Sequence, residues 1–208
     1  SAEDLHEWRE AGLGVASLGE LAVVLLAGGQ GTRLGSSAPK GMYDIGLPSG
    51  RTLFRLQAER LAKLMAMSSE EANQGAPVRV PWYIMTSPHT NAATEKYFQE
   101  NEYFGLDKAD VMFFQQGSLP CFTPEGKIIM QSRGTMATAP DGNGGIYAAL
   151  HASGVIDDMQ TRGVKHVYAY CVDNALVKVG DPTYVGFCAL RNEEAGAKLI
   201  AKSNPQEP

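Results

Sequence analysis

The sequence has little cysteine. Its 208 residues include only Cys121, Cys171 and Cys188, and none of them forms a CxxC pair with another. A zinc knuckle or a disulfide framework requires clustered cysteines, so this wide spacing implies neither. Isolated cysteines fit a reducing compartment best, and we therefore predict a cytoplasmic protein.

Long hydrophobic runs and an excess of positive charge are also missing. No run approaches the 18 apolar residues that indicate a transmembrane helix. The acidic opening segment SAEDLHEWRE does not resemble a signal peptide. The formal net charge is −5, whereas surfaces that bind nucleic acid carry clustered lysine and arginine. We therefore expect neither a membrane nor a nucleic acid as a partner.

What the sequence does have is an alternation of strand-like and helix-like segments. Hydrophobic residues make up 44% of the chain, an ordinary globular balance, and there is no internal repeat. The alternation predicts an α/β fold with a mostly parallel sheet. The predicted strands are 21–27, 80–86, 110–115, 166–172 and 196–202, the predicted helices are 2–11, 48–67, 90–101, 146–160 and 182–190, and a hairpin is predicted over 121–130.

A glycine-rich loop follows the first predicted strand. The apolar run LAVVLL leads into it, and five glycines lie from Gly28 to Gly41, together with Arg33 and Lys40. Glycine lets backbone N–H groups approach a ligand without an intervening Cβ, and a row of such groups near a helix start binds anions, above all phosphate. Arg33 would add a planar charged group and Lys40 a mobile one. The loop predicts a phosphate site, and a tight turn without a ligand is the alternative.

Two familiar phosphate-binding motifs do not fit this loop. The P-loop requires GxxxxGK[ST], but Lys40 follows a proline and precedes a glycine. The dinucleotide fingerprint requires GxGxxG, and although Gly29 and Gly31 fit its first pair, Leu34 occupies the third position. The loop is therefore neither a P-loop nor a dinucleotide-binding fingerprint, and the two interpretations above stay open.

Five blocks of sequence together resemble the eukaryotic-type UDP-N-acetylhexosamine pyrophosphorylases. They are LAGGQGTRLG with PKGMYDIGLPSGRTLF, then VPWYIMTS, FFQQGSLP, APDGNGGIYAAL and YCVDNALVKV, in the family's order over nearly the whole chain. The resemblance implies a Rossmann-like nucleotidyltransferase fold, in which a mostly parallel sheet lies between helices in three α/β/α layers. It also implies a helical lead-in over residues 1–20 and a UTP-binding nucleotidyltransferase domain over residues 21–208. That domain is truncated at its C-terminus relative to the family, whose members are longer.

The reaction implied by the resemblance is uridylyl transfer. Members of the family form UDP-N-acetylglucosamine and pyrophosphate from UTP and an N-acetylhexosamine 1-phosphate, with Mg²⁺ as the cofactor. Two alternatives stay open at this point. One is a UDP-glucose-type pyrophosphorylase, which has a related loop, and the other is a non-catalytic paralogue or fragment that binds UDP-sugar.

The resemblance further implies roles for individual residues. Arg33 and Lys40 are expected to act in catalysis. Asp173 is expected to bind Mg²⁺ and the nucleotide, and Asn143 to contact the N-acetyl sugar. The other nucleotide-binding residues, which Lys40 also joins, are expected to be Leu26, Ala27, Gly28, Gly29, Gln115 and Gly142.

The predicted strands place several of these residues at one edge of the sheet without help from the family. The glycine-rich loop and Asp173 each follow a predicted strand, and Gln115 is the last residue of another. Open α/β sheets bind ligands outside the carboxyl ends of their strands, so we expect these groups to share one cleft. The resemblance implies that Gln115 pairs with the uracil edge, which suits an amide because it both donates and accepts hydrogen bonds, and its neighbour Gln116 is the alternative for that role.

Overall fold

The computed structural model describes residues 1–31, 35, 38–72, 77–204 and 206. The helices are α1 (Ala2–Ser17), α2 (Leu53–Ala72), α3 (Asn91–Glu100), α4 (Ile146–Ala152), α5 (Val155–Thr161) and α6 (Pro182–Leu190). The strands are β1 (Leu21–Leu26), β2 (Trp82–Thr86), β3 (Val111–Gln115), β4 (Ser118–Pro120), β5 (Met130–Ser132), β6 (Thr135–Met136), β7 (Thr138–Pro140) and β8 (His166–Cys171).

The main sheet has four strands in the order β3–β2–β1–β8. All three neighbouring pairs are parallel, so the carboxyl ends of the four strands lie at the same edge. β1 occupies a central position and is almost entirely buried, which its unbroken apolar run predicts. The prediction of an α/β fold built on a parallel sheet is confirmed.

Helices cover both faces of this sheet. Alternate side chains of β1 point to opposite faces, so Leu21, Val23 and Leu25 join one core cluster while Ala22 and Val24 join another. Residues of α1, α2, α3 and α6 complete the first cluster, and residues of α4 and α5 complete the second. The chain therefore has the three α/β/α layers that the resemblance implied.

Local sequence signals determine where two of the helices begin. The side-chain hydroxyl of Thr52 accepts a hydrogen bond from the backbone N–H of Arg55 at 3.4 Å, so Thr52 is the residue that caps α2. Asp181 caps α6 by accepting from the N–H of Thr183 at 3.3 Å, and Pro182 follows at the first helical position. The helix that begins at Leu53 carries residues important for the site described below.

Two of the predicted elements are wrong. The single helix predicted over 146–160 is divided into α4 and α5, because Gly154 adopts the left-handed conformation at φ 75°. The strand predicted over 196–202 is absent, and these residues form no regular element. Leu199 and Ile200 are 88% and 96% exposed there, and a strand needs a neighbouring strand to pair its backbone groups.

Residues 118–140 form an exposed antiparallel extension. β4 pairs with β7 and β5 pairs with β6. The predicted hairpin over 121–130 is confirmed by the antiparallel bridge between Phe122 and Ile128. Across the described ranges of the chain, no helix is both long enough and apolar enough to cross a membrane.

Candidate active site

The glycine-rich loop leaves β1 and folds back on itself. The backbone N–H of Lys40 donates to the carbonyl of Gly29 at 3.1 Å, and the N–H of Gly31 donates to Ala38 at 2.9 Å. Lys40 therefore lies beside the first glycines of the loop, although it comes 11 positions after Gly29 in the sequence. Arg33, which the sequence assigns to catalysis, lies outside the described residues.

Lys40 faces the loop that follows β8. Its Nζ lies 3.3 Å from Oδ2 of Asp173, and the two side chains are 25% and 60% exposed. The expected cation of the first loop and the expected metal ligand of the last strand thus meet in one place. An exposed pair of this kind adds little to stability, about 0–1 kcal/mol, so both groups remain available to a charged ligand.

The second glycine-rich loop reaches the same edge of the sheet. Gly142 adopts φ 82° and begins a 3₁₀ turn over Asn143–Gly145 that leads into α4. Nδ2 of Asn143 lies 3.7 Å from Sγ of Cys171, the last residue of β8. Asn143 therefore lies next to the strand end from which Asp173 extends. The residue expected to contact the sugar, Asn143, thus lies close to the residue expected to bind the metal, Asp173.

The Cys171 thiol is poorly suited to act as a nucleophile. Burial raises the pKa of Cys171, and the negative charge of Asp173 raises it further, while Lys40 opposes both effects. The thiolate, the reactive form, is therefore scarce near neutral pH. Cys171 is therefore a poor candidate for a nucleophile at this edge of the sheet.

Gln116 packs directly against the glycine-rich loop. A Cβ placed on Gly28 would lie 2.2 Å from Oε1 of Gln116, closer than any real contact, so the missing side chain of Gly28 makes room for this amide. Gln116 is 6% exposed, and its backbone N–H donates to the carbonyl of Thr86 at 2.9 Å. The same imaginary Cβ lies 3.6 Å from Cβ of Ser87, which follows β2. Sequence reasoning did not select Ser87, although its position after a strand was the available signal.

Gln115 does not lie against the glycine-rich loop. It is exposed at the end of β3, and it lines an open cavity of about 300 Å³ with Asn91, Glu95 and Ser153. Its neighbour Gln116 is the residue that contacts the loop expected to hold the nucleotide. Consecutive residues of an extended chain point in opposite directions, so the two amides face different surroundings.

Asp141 is a second residue that sequence reasoning missed. Its carboxylate fits between two glycines, because a Cβ on Gly117 or on Gly145 would lie 2.5 Å or 2.3 Å from it. Within the part of the chain that the structure describes, the buried Oδ1 of Asp141 has no hydrogen-bond partner. The signal for this residue was its place at the start of DGNGG, between two elements expected to reach the site.

The residues present suit a magnesium ion better than a transition metal. Among the described residues, no three histidine, cysteine or acidic side chains cluster as a metal site would require. Asp173 offers a single exposed carboxylate, and Mg²⁺ is commonly held by one or two carboxylates, with substrate phosphates and waters supplying the other ligands. The fit therefore depends on a phosphate ligand binding at the same time.

A second large cavity lies along β8. Its volume is about 980 Å³, and it lies between β8 and residues 193–200. None of the described residues of the 28–41 loop lines it. The cavity is therefore separate from the described part of that loop, although Cys171 and Asn174, at the end of β8, also line it.

Comparisons with known proteins identify the family to which the chain belongs. The family model described as UTP–glucose-1-phosphate uridylyltransferase matches residues 2–208. UDP-N-acetylglucosamine diphosphorylase 1 of Arabidopsis thaliana is 51% identical over 207 residues, which are 99% of this chain and 41% of that protein. The chain thus spans about two fifths of the length of such relatives.

Solved structures give the same result at the level of the fold. The uridine diphosphate N-acetylglucosamine pyrophosphorylase of Trypanosoma brucei, crystallised with an inhibitor, superposes with a TM-score of 0.86 at 32% identity, covering 92% of this chain and 39% of that one. A UDP-glucose pyrophosphorylase of Leishmania major in complex with UDP-glucose reaches 0.67 at 21% identity, covering 85% of this chain and 35% of that one. The second similarity concerns the fold alone.

Proposed function

The chain belongs to the UTP–glucose-1-phosphate uridylyltransferase family, and from that premise we propose that it forms the UTP-binding part of a UDP-N-acetylglucosamine pyrophosphorylase. The substrates would be UTP and N-acetylglucosamine 1-phosphate, and the products UDP-N-acetylglucosamine and pyrophosphate. The observation that carries the proposal is the approach of Lys40 Nζ to Asp173 Oδ2, at 3.3 Å, beside the glycine-rich loop. A triphosphate that carries a metal ion needs these three elements together.

The proposed reaction requires little covalent chemistry from the protein. An oxygen of the sugar phosphate attacks the α-phosphorus of UTP, the bond from that phosphorus to the β-phosphate oxygen breaks, and pyrophosphate leaves. Such transfers depend on positioning and on neutralising negative charge. Lys40 would hold the triphosphate and stabilise the charge that develops on the pyrophosphate. Arg33 remains a second predicted cation for this role.

Within the tetrapeptide Leu26–Gly29, the two glycines are the better candidates for nucleotide contacts. The N–H of Ala27 donates to the carbonyl of Met85 at 2.7 Å, and the carbonyl of Leu26 accepts from Val172 at 3.0 Å. Those groups continue the pairing of the sheet and are already occupied. The roles expected of Leu26 and Ala27 are therefore to fix the direction in which the glycines leave β1.

For the base we propose Gln116 in preference to Gln115. Gln116 lies against Gly28, whereas Gln115 lies in a separate open cavity. An amide next to the start of the loop can donate to and accept from the uracil edge. Gly142 and Asn143 remain the proposed contacts on the sugar side, because Asn143 lies beside Cys171 at the end of β8.

Asp173 is the residue that would hold Mg²⁺. When bound, the ion would neutralise phosphate charge and help to orient the triphosphate. Asp173 would hold the ion through its carboxylate, and Lys40, 3.3 Å from it, would hold the phosphates.

The test is a measurement of pyrophosphate release by the full-length protein. UTP would be offered with N-acetylglucosamine 1-phosphate, N-acetylgalactosamine 1-phosphate and glucose 1-phosphate in parallel, with Mg²⁺ and then with EDTA. We expect a clear preference for an N-acetylated sugar and a requirement for Mg²⁺. A preference for glucose 1-phosphate would favour the UDP-glucose alternative, and tight UTP binding without turnover would favour a non-catalytic binder.

A further inference from the structure

One face of α2 lies against both loops that bring Lys40 and Asp173 together. Phe54, Gln57 and Arg60 follow one another at intervals of three residues, so they project from the same side of the helix. Phe54 and Gln57 are fully buried. A buried glutamine in a helix that otherwise presents apolar groups to the core must be held by hydrogen bonds.

Gln57 holds the backbone immediately before Asp173. Its Nε2 donates to the carbonyl of Val172 at 3.1 Å, and the hydroxyl of Tyr170 lies 3.5 Å from its Oε1. The N–H of Val172 donates in turn to the carbonyl of Leu26 at 3.0 Å. Both backbone groups of Val172 are therefore fixed, one by the end of β1 and the other by α2. Asp173 is the next residue along the chain.

Arg60 holds the same loop on the other side of Asp173. Its Nη1 donates to the carbonyl of Ala175 at 2.7 Å and to the carbonyl of Val177 at 3.0 Å. Hydrogen bonds from a charged donor are strong, and two from one nitrogen fix the loop's curvature. Leu176, between these two residues, is 90% exposed, so the middle of the loop adds little packing of its own.

The Lys40 side of the pair rests on the same helix. A Cβ on Gly41 would lie 2.2 Å from Cζ of Phe54, so the aromatic ring packs on the backbone of the residue that follows Lys40. α2 therefore contacts the chain next to Lys40 through Phe54, and the chain around Asp173 through Gln57 and Arg60. A single rigid helix links the two sides.

We propose that Gln57 and Arg60 are positioning residues for the triphosphate and its metal ion. They fix residues 172–177 so that the carboxylate of Asp173 stays opposite Lys40. Because Gln57 is fully buried, it acts through Asp173 and not by touching a substrate. This inference rests on the proposed function, since it assigns a purpose to the placement of a carboxylate that the proposed reaction uses.

A double-mutant cycle on the full-length protein tests the inference for Gln57. Calorimetry would give the dissociation constant of UTP with Mg²⁺ for the wild type, Gln57→Met, Asp173→Asn and the combined variant. Methionine keeps the size of glutamine and removes its donor. We expect Gln57→Met to weaken binding about tenfold, and to weaken it less than about twofold once Asp173 has been replaced, because coupled residues do not act additively. Losses that simply multiply would overturn the inference.

Arg60 gives an independent test that also covers the case in which Gln57→Met does not fold. Arg60→Met is expected to weaken UTP binding, and Arg60→Lys to recover part of the loss because it retains a charged donor. Lys63→Met, an exposed position on the same helix, is the matched control and is expected to behave as wild type. If Arg60→Met binds UTP as the wild type does, the inference is wrong while the proposed function stands. A wild type with no affinity for UTP would instead overturn the proposed function.

Discussion

The ammonium group of Lys40 and the carboxylate of Asp173 lie 3.3 Å apart, although 133 residues separate them along the chain. The parallel sheet makes this approach possible, because β1 and β8 are neighbours and their carboxyl ends point the same way. The loop after β1 turns back at its glycines, and the loop after β8 begins with Asp173 one residue past the buried Val172. The pair therefore follows from the topology and from the return of the first loop to Gly29, where the N–H of Lys40 donates to the Gly29 carbonyl.

Replacing Lys40 separates its chemical role from its structural one. We expect Lys40→Ala to lower turnover about 10²–10³-fold, the usual effect of removing a group that stabilises charge in the transition state. The melting temperature should change little, because an exposed ion pair contributes only about 0–1 kcal/mol. Pyrophosphate release and thermal unfolding of the same preparation provide the two measurements. Lys63→Ala, an exposed lysine on α2, is the control, and unchanged activity in Lys40→Ala would remove this lysine from the site.

The first two glycines of the loop offer a matched pair of substitutions. In Gly28→Ala the new methyl group would meet Oε1 of Gln116 at 2.2 Å, so the amide must move away. In Gly29→Ala the nearest atom is Cδ of Lys40 at 3.9 Å, an ordinary contact. We expect both variants to fold, since the first displaces only the end of a flexible side chain. Both should bind UTP about tenfold or more weakly in calorimetry, because a methyl group keeps the ligand from the backbone.

The two variants have different implications if they fail to behave this way. Normal UTP affinity in Gly29→Ala would show that the nucleotide does not approach the backbone there, since among the described residues the new methyl group meets only Lys40, at an ordinary contact distance. Normal affinity in Gly28→Ala would show that Gln116 can leave its place without consequence. The second result would weaken the role proposed for that amide and leave the loop's role intact.

Much of this site could be predicted because strand ends are easy to locate in a parallel sheet. The apolar runs before Gly28 and Asp173 indicated where β1 and β8 end, and their parallel arrangement then placed both residues at one edge. The choice between Gln115 and Gln116 was harder. A shift of one residue in a strand reverses the direction of the side chain, so an uncertainty of one residue at the end of β3 changes which amide faces the loop.

The elements that could not be predicted depend on partners distant in sequence. Helical spacing continues through residues 146–160, but the left-handed conformation of Gly154 breaks the helix, and periodicity does not report that conformation. Residues 196–202 have the composition of a strand but form none. A strand is stable only when its backbone pairs with a neighbouring strand, and composition does not report whether such a neighbour exists. The contacts of Gln57 with the loop before Asp173 likewise join residues 115 positions apart.

Gln115 and Gln116 give a direct comparison of two adjacent amides. We expect Gln116→Ala to reduce the preference for UTP over CTP by about tenfold or more, because a site built to hydrogen-bond one base edge loses its discrimination when that partner is removed. Gln115→Ala, the exposed neighbour, should retain the preference. The preference for UTP over CTP is measured by letting the two nucleotides compete in the pyrophosphate assay. The reverse pattern would restore Gln115 to the role that the sequence first suggested.

Buried tyrosines should make the protein sensitive to alkali. Burial raises the pKa of Tyr168 to about 12, and Asp181 adds to the effect. Burial also raises the pKa of Tyr83, whose hydroxyl donates to Oδ2 of Asp158 at 2.7 Å. Above pH 10 the unfolded chain releases these protons while the folded chain keeps them. Stability therefore falls as the pH rises, by up to about 1.4 kcal/mol per pH unit for each such group.

The variant Tyr83→Phe separates one of these contributions from the others. At pH 8 it should lower the free energy of unfolding by about 1 kcal/mol, because the hydrogen bond to Asp158 is lost. Between pH 10 and pH 11.5 the wild type should lose stability faster than the variant, since phenylalanine has no proton to release, and the gap between the two should shrink. Guanidinium titrations across this range measure both curves, and lysines and arginines, which both proteins share, cancel in the difference. Curves that stay parallel above pH 10 would mean that Tyr83 ionises in the folded protein as readily as in the unfolded chain, and that its burial and its bond to Asp158 do not hold its proton.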